Sequence, residues 1–198
     1  MSMQLRIEHT TGYEYDGKAV ASYNQARMTP VNTAEQIVVH SRLEVAPKPW
    51  TYEYRDYFGT HVTAFEVVEP HDSLKVSATS TVQTNRPPVP APISTWSDLA
   101  EREVADRWTE YLTLPDLVAP PDDLARRVTA FRDTHDLPGE AARAVCALVA
   151  DEVEYRPGAT HVFTPAATAW GQRAGVCQDM VHLVIGALRS IDIPARYV

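Results

Sequence analysis

Gly175-Val176-Cys177-Gln178-Asp179-Met180-Val181-His182-Leu183 is the stretch on which the reading of this chain turns. A loop holding Gly171 and Gly175 delivers a cysteine to the start of a helix predicted over 177–191. That helix carries Met180, Val181, Leu183, Val184, Ile185, Ala187, Leu188 and Ile191. Apolar residues on nearly every side predict a helix buried in a core. Its N-terminus offers unpaired backbone N–H groups and a partial positive charge. A thiolate is stabilised there, so Cys177 is expected to ionise more readily than a free cysteine. The same N–H groups can hold the oxyanion of a tetrahedral intermediate. Spacing alone leaves a second reading equally open, in which Cys177 packs as a small hydrophobe. Asp179 complements the helix dipole and reads as a structural or capping acid.

The surroundings supply few partners for that thiol. His182 follows Cys177 by five residues, which turns its side chain about 140° away along a helix. It reads instead as a hydrogen-bonded core histidine. His161, in the loop before Phe163, is a candidate wall of the site. Gln178 or Gln172 could assist an oxyanion hole. Trp170 could line the thiol groove, although a tryptophan on a short helix is more often core. His9, His40, His61 and His71 fall in strand-like runs, and His135 ends a helix; none joins a convincing set. Cys146 lies in Ala144-Val145-Cys146-Ala147-Leu148-Val149, an apolar helical run, and reads as a buried thiol.

Upstream, the pattern changes its period. Residues 1–86 are rich in Val, Thr and Tyr, with alternating runs from Leu5, over Ile37–Val45, Trp50–Tyr57, Val62–Val68 and Leu74–Val82. Phe58-Gly59-Thr60 reads as a hairpin turn. Short strands at this spacing suggest an antiparallel β-sandwich. Pro87, Pro88, Pro90 and Pro92 cannot donate ladder or helix hydrogen bonds, so 87–95 is expected to be a linker. From 96 on the period becomes helical. A first helix is expected from a cap at Thr95 or Ser97 through Tyr111. A second begins at Pro120-Pro121-Asp122-Asp123, with proline near the first turn and acids at the positive dipole end. A third spans Gly139–Val153, then Arg156-Pro157-Gly158 turns, and Thr164-Pro165 opens a short helix through Trp170. Ala195–Val198 reads as the beginning of a strand. The fold class is therefore α+β: a β-rich domain over 1–86 and a helical domain over 96–198.

Composition narrows the function classes. The chain has 198 residues, 44% hydrophobic and 22% charged, with 18 basic and 26 acidic side chains and a net charge of −8. That balance argues against a phosphate-tracking surface, and no nucleic-acid partner is expected. No window approaches the ~20 apolar residues of a membrane span. The first residues show no basic-then-apolar signal. Two cysteines are too few for a disulfide framework, so a reducing, cytoplasmic setting is the default expectation. No paired-cysteine motif, ligand-spaced histidine pair or phosphate loop is present, and neither metal nor cofactor is expected.

Several stretches together resemble a known family. They are Tyr155-Arg156-Pro157-Gly158-Ala159-Thr160, Ala174-Gly175-Val176-Cys177-Gln178-Asp179, Leu188-Arg189-Ser190 and Ile193-Pro194-Ala195-Arg196-Tyr197-Val198. In order and spacing they resemble bacterial transglutaminase-like proteins. His9-Thr10-Thr11, Asn24-Gln25-Ala26-Arg27-Met28-Thr29-Pro30 and Asp56-Tyr57-Phe58-Gly59 resemble that family's N-terminal β-rich domain. Met28 and Thr60 stand where the family more often has Leu and Asn. The resemblance implies a papain-like thiol fold in which a Cys–His–Asp triad attacks an amide of a protein or peptide. Cys177 matches the nucleophile. The family's histidine and aspartate lie downstream of the segment matching Ala195–Val198. The resemblance thus implies a chain that stops before them and does not turn over alone. A non-catalytic binding or assembly module on the same fold is the alternative. Oligomeric state is not legible.

Overall fold

The computed structural model describes residues 2–85, 87 and 93–197. The chain divides into two compact units, Met1–Val89 and Pro90–Val198. The proline run expected as a linker lies largely outside the described residues.

The first unit is built from six strands whose alternation buries one side of each sheet. β1 (Ser2–Ala19) and β3 (Gln36–Ala46) flank β6 (His71–Asn85), all antiparallel. β2 (Ser22–Ala26) and β4 (Trp50–Arg55) flank β5 (His61–Val67) in a second antiparallel sheet. Leu74 and Val76 from β6 pack with Ala26, Phe65 and Val67 from the other sheet, and Tyr15, Met28, Leu43 and Val45 close the edges of that core. A period of two puts Leu74, Val76, Ala78 and Val82 on one face of β6, and all four are buried. The hairpin joining β4 to β5 is tied by Asp56, whose carboxylate accepts from the N–H groups of Phe58 (3.0 Å) and Thr60 (2.9 Å). Gly59 takes the positive φ of 77° that this turn needs. β2 has no counterpart in the sequence reading. Its Asn24-Gln25 centre has poor strand propensity, and pairing with β5 supplies the order that propensity does not.

The second unit is helical. The helix expected from 95 to 111 is instead three short ones, α1 (Trp96–Leu99), α2 (Arg102–Arg107) and α3 (Thr109–Leu112). Thr95 caps the first, accepting from the Asp98 N–H (3.2 Å) while its own N–H donates to the Asp98 carboxylate (2.7 Å). None of the three has a buried residue, and Trp96 is only partly buried against the helical core, so packing does not hold them in one rod. The Thr109 hydroxyl donates back to the carbonyls of Ala105 (2.8 Å) and Asp106 (3.1 Å), a pattern that bends helices. α4 (Asp122–Thr134), α5 (Pro138–Glu152), α6 (Ala166–Gln172) and α7 (Cys177–Arg189) form the core. Leu124 and Val128 of α4 meet Val145, Leu148 and Val149 of α5, Ala169 and Trp170 of α6, and Leu183 and Ala187 of α7. A two-stranded parallel pair, β7 (Glu154–Tyr155) and β8 (Ala174–Gly175), sits just before α7. Among the described residues no helix is long and apolar enough to cross a membrane.

Three sequence expectations are corrected in this unit. Cys146 is exposed rather than buried. The buried stripe of α5 runs through Ala141, Val145, Leu148 and Val149, and one residue past Val145 is a rotation of about 100° off it. α7 ends at Arg189, short of the expected residue 191; Leu183, Ile185, Gly186 and Ala187 are buried, and Met180, Val184 and Leu188 pack partly buried against the core. Ala195–Tyr197 forms no strand; the Ala195 N–H donates to the Tyr111 carbonyl (2.9 Å), and Val198 lies outside the described residues.

Candidate active site at the start of the thiol-bearing helix

Arg173 closes α6 in the left-handed conformation (φ 51°), which turns the chain into β8. Val176 is extended, and α7 begins at Cys177 with its thiol exposed. Asp179, on the first turn, is 1% exposed and organises this corner. Its Oδ2 accepts from the Val176 N–H (2.7 Å) and from the Thr160 hydroxyl. An acid at the third helical position reaching back to the N-cap N–H is half of a capping box. Its Oδ1 is buried without a protein partner. Gly175 makes room for it: a Cβ there would lie 2.8 Å from the Asp179 Cβ and 2.9 Å from Oδ2. Asp179 thus takes the structural role its position suggested. The first-turn N–H groups of α7, at the helix start that Cys177 occupies, have no carbonyl one turn back to bond.

Loop 160–164 is fastened to the same corner. Thr160 bonds Asp179, and the Gln178 Nε2 donates to the Val162 carbonyl (3.0 Å). That bond uses one of the two N–H donors of the Gln178 amide. His161 is exposed in this loop; its Nδ1 accepts from the Phe163 N–H (3.3 Å), and the two rings meet edge-on at 6.5 Å. The Thr164 hydroxyl accepts from the His161 N–H (3.0 Å) and closes the turn.

The other candidates lie elsewhere. Gln172 is exposed at the end of α6. Trp170 is 2% exposed and belongs to the core. Its indole N–H donates to the Asp123 carboxylate (2.7 Å), and the Arg173 guanidinium lies 3.8 Å from its ring centre. The indole hydrogen bond, aided by Arg173, holds the Asp123 carboxyl below its ordinary range. His182 is half-buried rather than a satisfied core residue. Its Nδ1 has no protein partner, and its ring meets Tyr197 edge-on at 6.0 Å. Burial lowers its pKa below the ordinary 6.5, with Asp179 pulling the other way.

Along the open side of α7 runs an apolar groove of roughly 320 Å³, lined by Cys146 and Val149 of α5 and by Met180, Val184 and Leu188 of α7. At its far end Arg189 forks: its guanidinium donates to the carbonyls of Ala195 (2.9 and 2.6 Å) and Thr113 (2.6 Å), fixing the final residues against α7.

A helical core that presents a cysteine at a helix start, preceded by a β-sandwich, defines a papain-like, cysteine-dependent fold. Residues 122–198 match the transglutaminase-like superfamily, and residues 5–83 match the bacterial transglutaminase-like N-terminal region. The chain belongs to this family. An uncharacterized protein of Mycobacterium leprae is 37% identical over 195 residues, covering 98% of this chain and 70% of the relative. An uncharacterized protein of Mycobacterium tuberculosis is 28% identical over 218 residues, covering 98% of this chain and 64% of the relative. The fold also matches a crystal structure of a Cytophaga hutchinsonii protein whose assignment as a cysteine protease is provisional. That match has a TM-score of 0.70 at 20% identity and covers 98% of this chain and 67% of the other.

Proposed function

We propose that Cys177 is the nucleophile of a thiol-dependent amide acyl transfer or hydrolysis carried out by the complete protein on protein or peptide substrates. The observation that supports it is the exposed thiol at the first position of α7, held there by the buried Asp179 tie. In this reaction the thiolate bonds to the amide carbonyl carbon, the C–N bond breaks, and the amine leaves with a proton. Water or a second amine then displaces sulfur from the thioester. The first-turn N–H groups face the developing oxyanion. The histidines flanking Cys177 in sequence do not serve as its base: His161 is engaged by Phe163, and His182 lies on another face of α7. A histidine and an aspartate from a longer form complete the site in this reading.

The test is the pH dependence of alkylation at each cysteine, read by peptide mass. Cys177 is expected to be alkylated faster than Cys146, which is exposed in mid-helix and remote from any helix terminus. Identical profiles for the two cysteines, here and in a longer form, overturn the proposal. Thiol-dependent turnover by the 198-residue chain alone overturns the need for further residues.

One observation favours the second reading, a binding or assembly module. Trp50, Tyr52 and Tyr54 form a stacked ladder on β4, with centroids 6.5 and 5.8 Å apart, and Trp50 and Tyr52 are exposed. That reading gains if both thiols behave alike.

A further inference from the structure

Loop 160–164 is an anchored element that spends its two largest apolar side chains on solvent. Thr160 fastens its start to Asp179, and Gln178 fastens its middle at the Val162 carbonyl. Thr164, 6% exposed, closes the turn, and the following Ala166 N–H donates to the Leu117 carbonyl (2.9 Å). Both ties to α7 end on Gln178 and Asp179, the two residues that follow Cys177. Yet Val162 is 63% exposed and Phe163 78% exposed. Tyr155, 60% exposed, sits in register with Gly175 two residues before the thiol. The ties that fasten the loop to α7 are polar, and the Phe163 ring meets His161 of the same loop. Apolar surface left in water is unfavourable until something covers it.

We propose that Val162 and Phe163 form the wall that receives an apolar side chain of the acyl donor, beside the amide that Cys177 attacks. This rests on Cys177 being the nucleophile. A side chain half-covered by these two residues gains affinity through apolar contact alone, so donors with Leu or Phe near the reacting amide are favoured over Gly. Because the loop is fastened to the helix that carries the thiol, the distance from wall to nucleophile is fixed, and selectivity appears in the covalent step.

The experiment uses the full 198-residue chain and two reagents with one reactive group, the chloromethyl ketones of N-acetylglycine and N-acetylleucine. In each, the Cys177 sulfur displaces chloride from the methylene carbon, so no general base is needed. The second-order rate at Cys177 is expected to be about tenfold higher for the leucine reagent. In Phe163→Ser and in Val162→Ser with Phe163→Ser that ratio is expected to fall toward one, with the melting temperature unchanged. A ratio near one in the parent, or one that the variants leave unaltered while Cys177 still outpaces Cys146, overturns the wall. If Cys177 reacts with the glycine reagent no faster than Cys146, the nucleophile reading fails and the wall fails with it.

Discussion

Asp179 carries more of this site than its position beside the cysteine suggests. One carboxylate oxygen joins the N-cap of α7 to the turn at Thr160, inside space that only Gly175 leaves open. Asp179→Ala strands the Val176 N–H and the Thr160 hydroxyl together, and is expected to cost about 3 kcal/mol. Gly175→Ala crowds the same carboxylate and is expected to cost about 2 kcal/mol. Urea denaturation checks both, as a lower midpoint at unchanged slope. His182 makes a pH prediction. Burial holds its folded-state pKa below the ordinary 6.5. The unfolded chain therefore binds the proton more readily, and stability falls as pH drops from about 6.5 toward the folded value. His182→Gln is expected to flatten that part of a melting-temperature profile, and an unchanged slope speaks against it. The Gly-x-Cys-x-Asp spacing made the helix start and its acid legible. Thr160, its second donor, was not, because nothing in the sequence tells which loop returns to a helix nineteen residues on.

Elements were legible where burial and period agree. α4, α5 and α7 have strong apolar stripes, and each begins within a residue or two of the expected place. The stretch 96–112 has no buried residue; Trp96 packs only partly buried on the helical core and Trp108 stacks on Tyr111 within the stretch, and its helical pattern breaks into three pieces. Propensity proposes such a helix, and only tertiary contact makes it continuous. β2 is the reverse case, a polar segment ordered by its neighbour. Gly186 carries no signal in the sequence that sets it apart. A Cβ there would fall inside the van der Waals envelope of the Val118 carbonyl oxygen, so the backbone before α4 lies directly on α7. Gly186→Ala is expected to cost 3 kcal/mol or more, at about the upper end of overpacking effects, because backbone rather than a flexible side chain must yield. A small midpoint shift in denaturant refutes this approach of backbone to helix.

At the scale of the whole molecule, the two thiols report on two different surfaces. Both are exposed, so Ellman's reagent is expected to titrate two sulfhydryls without denaturant; a single reactive thiol contradicts the placement of Cys146. The sequence misled at Cys146 because an apolar neighbourhood in a helix is not the same as the buried stripe. Trp170 was ambiguous for a related reason: a large ring on a short helix fits a core and a groove alike until its indole partner, Asp123, is known. Family membership was legible from motif order, and the mycobacterial relatives extend beyond the length this chain covers. The exposed Cys146 has a practical consequence. It sits within the apolar groove beside Met180 and Leu188, whereas Cys177 stands at the other thiol-bearing position, the start of α7. The molecule therefore contains its own gauge of occupancy: whatever settles over the groove, from a longer form of the protein or from another molecule, must slow labelling of Cys146, and the ratio of the two labelling rates reads that coverage without any added probe.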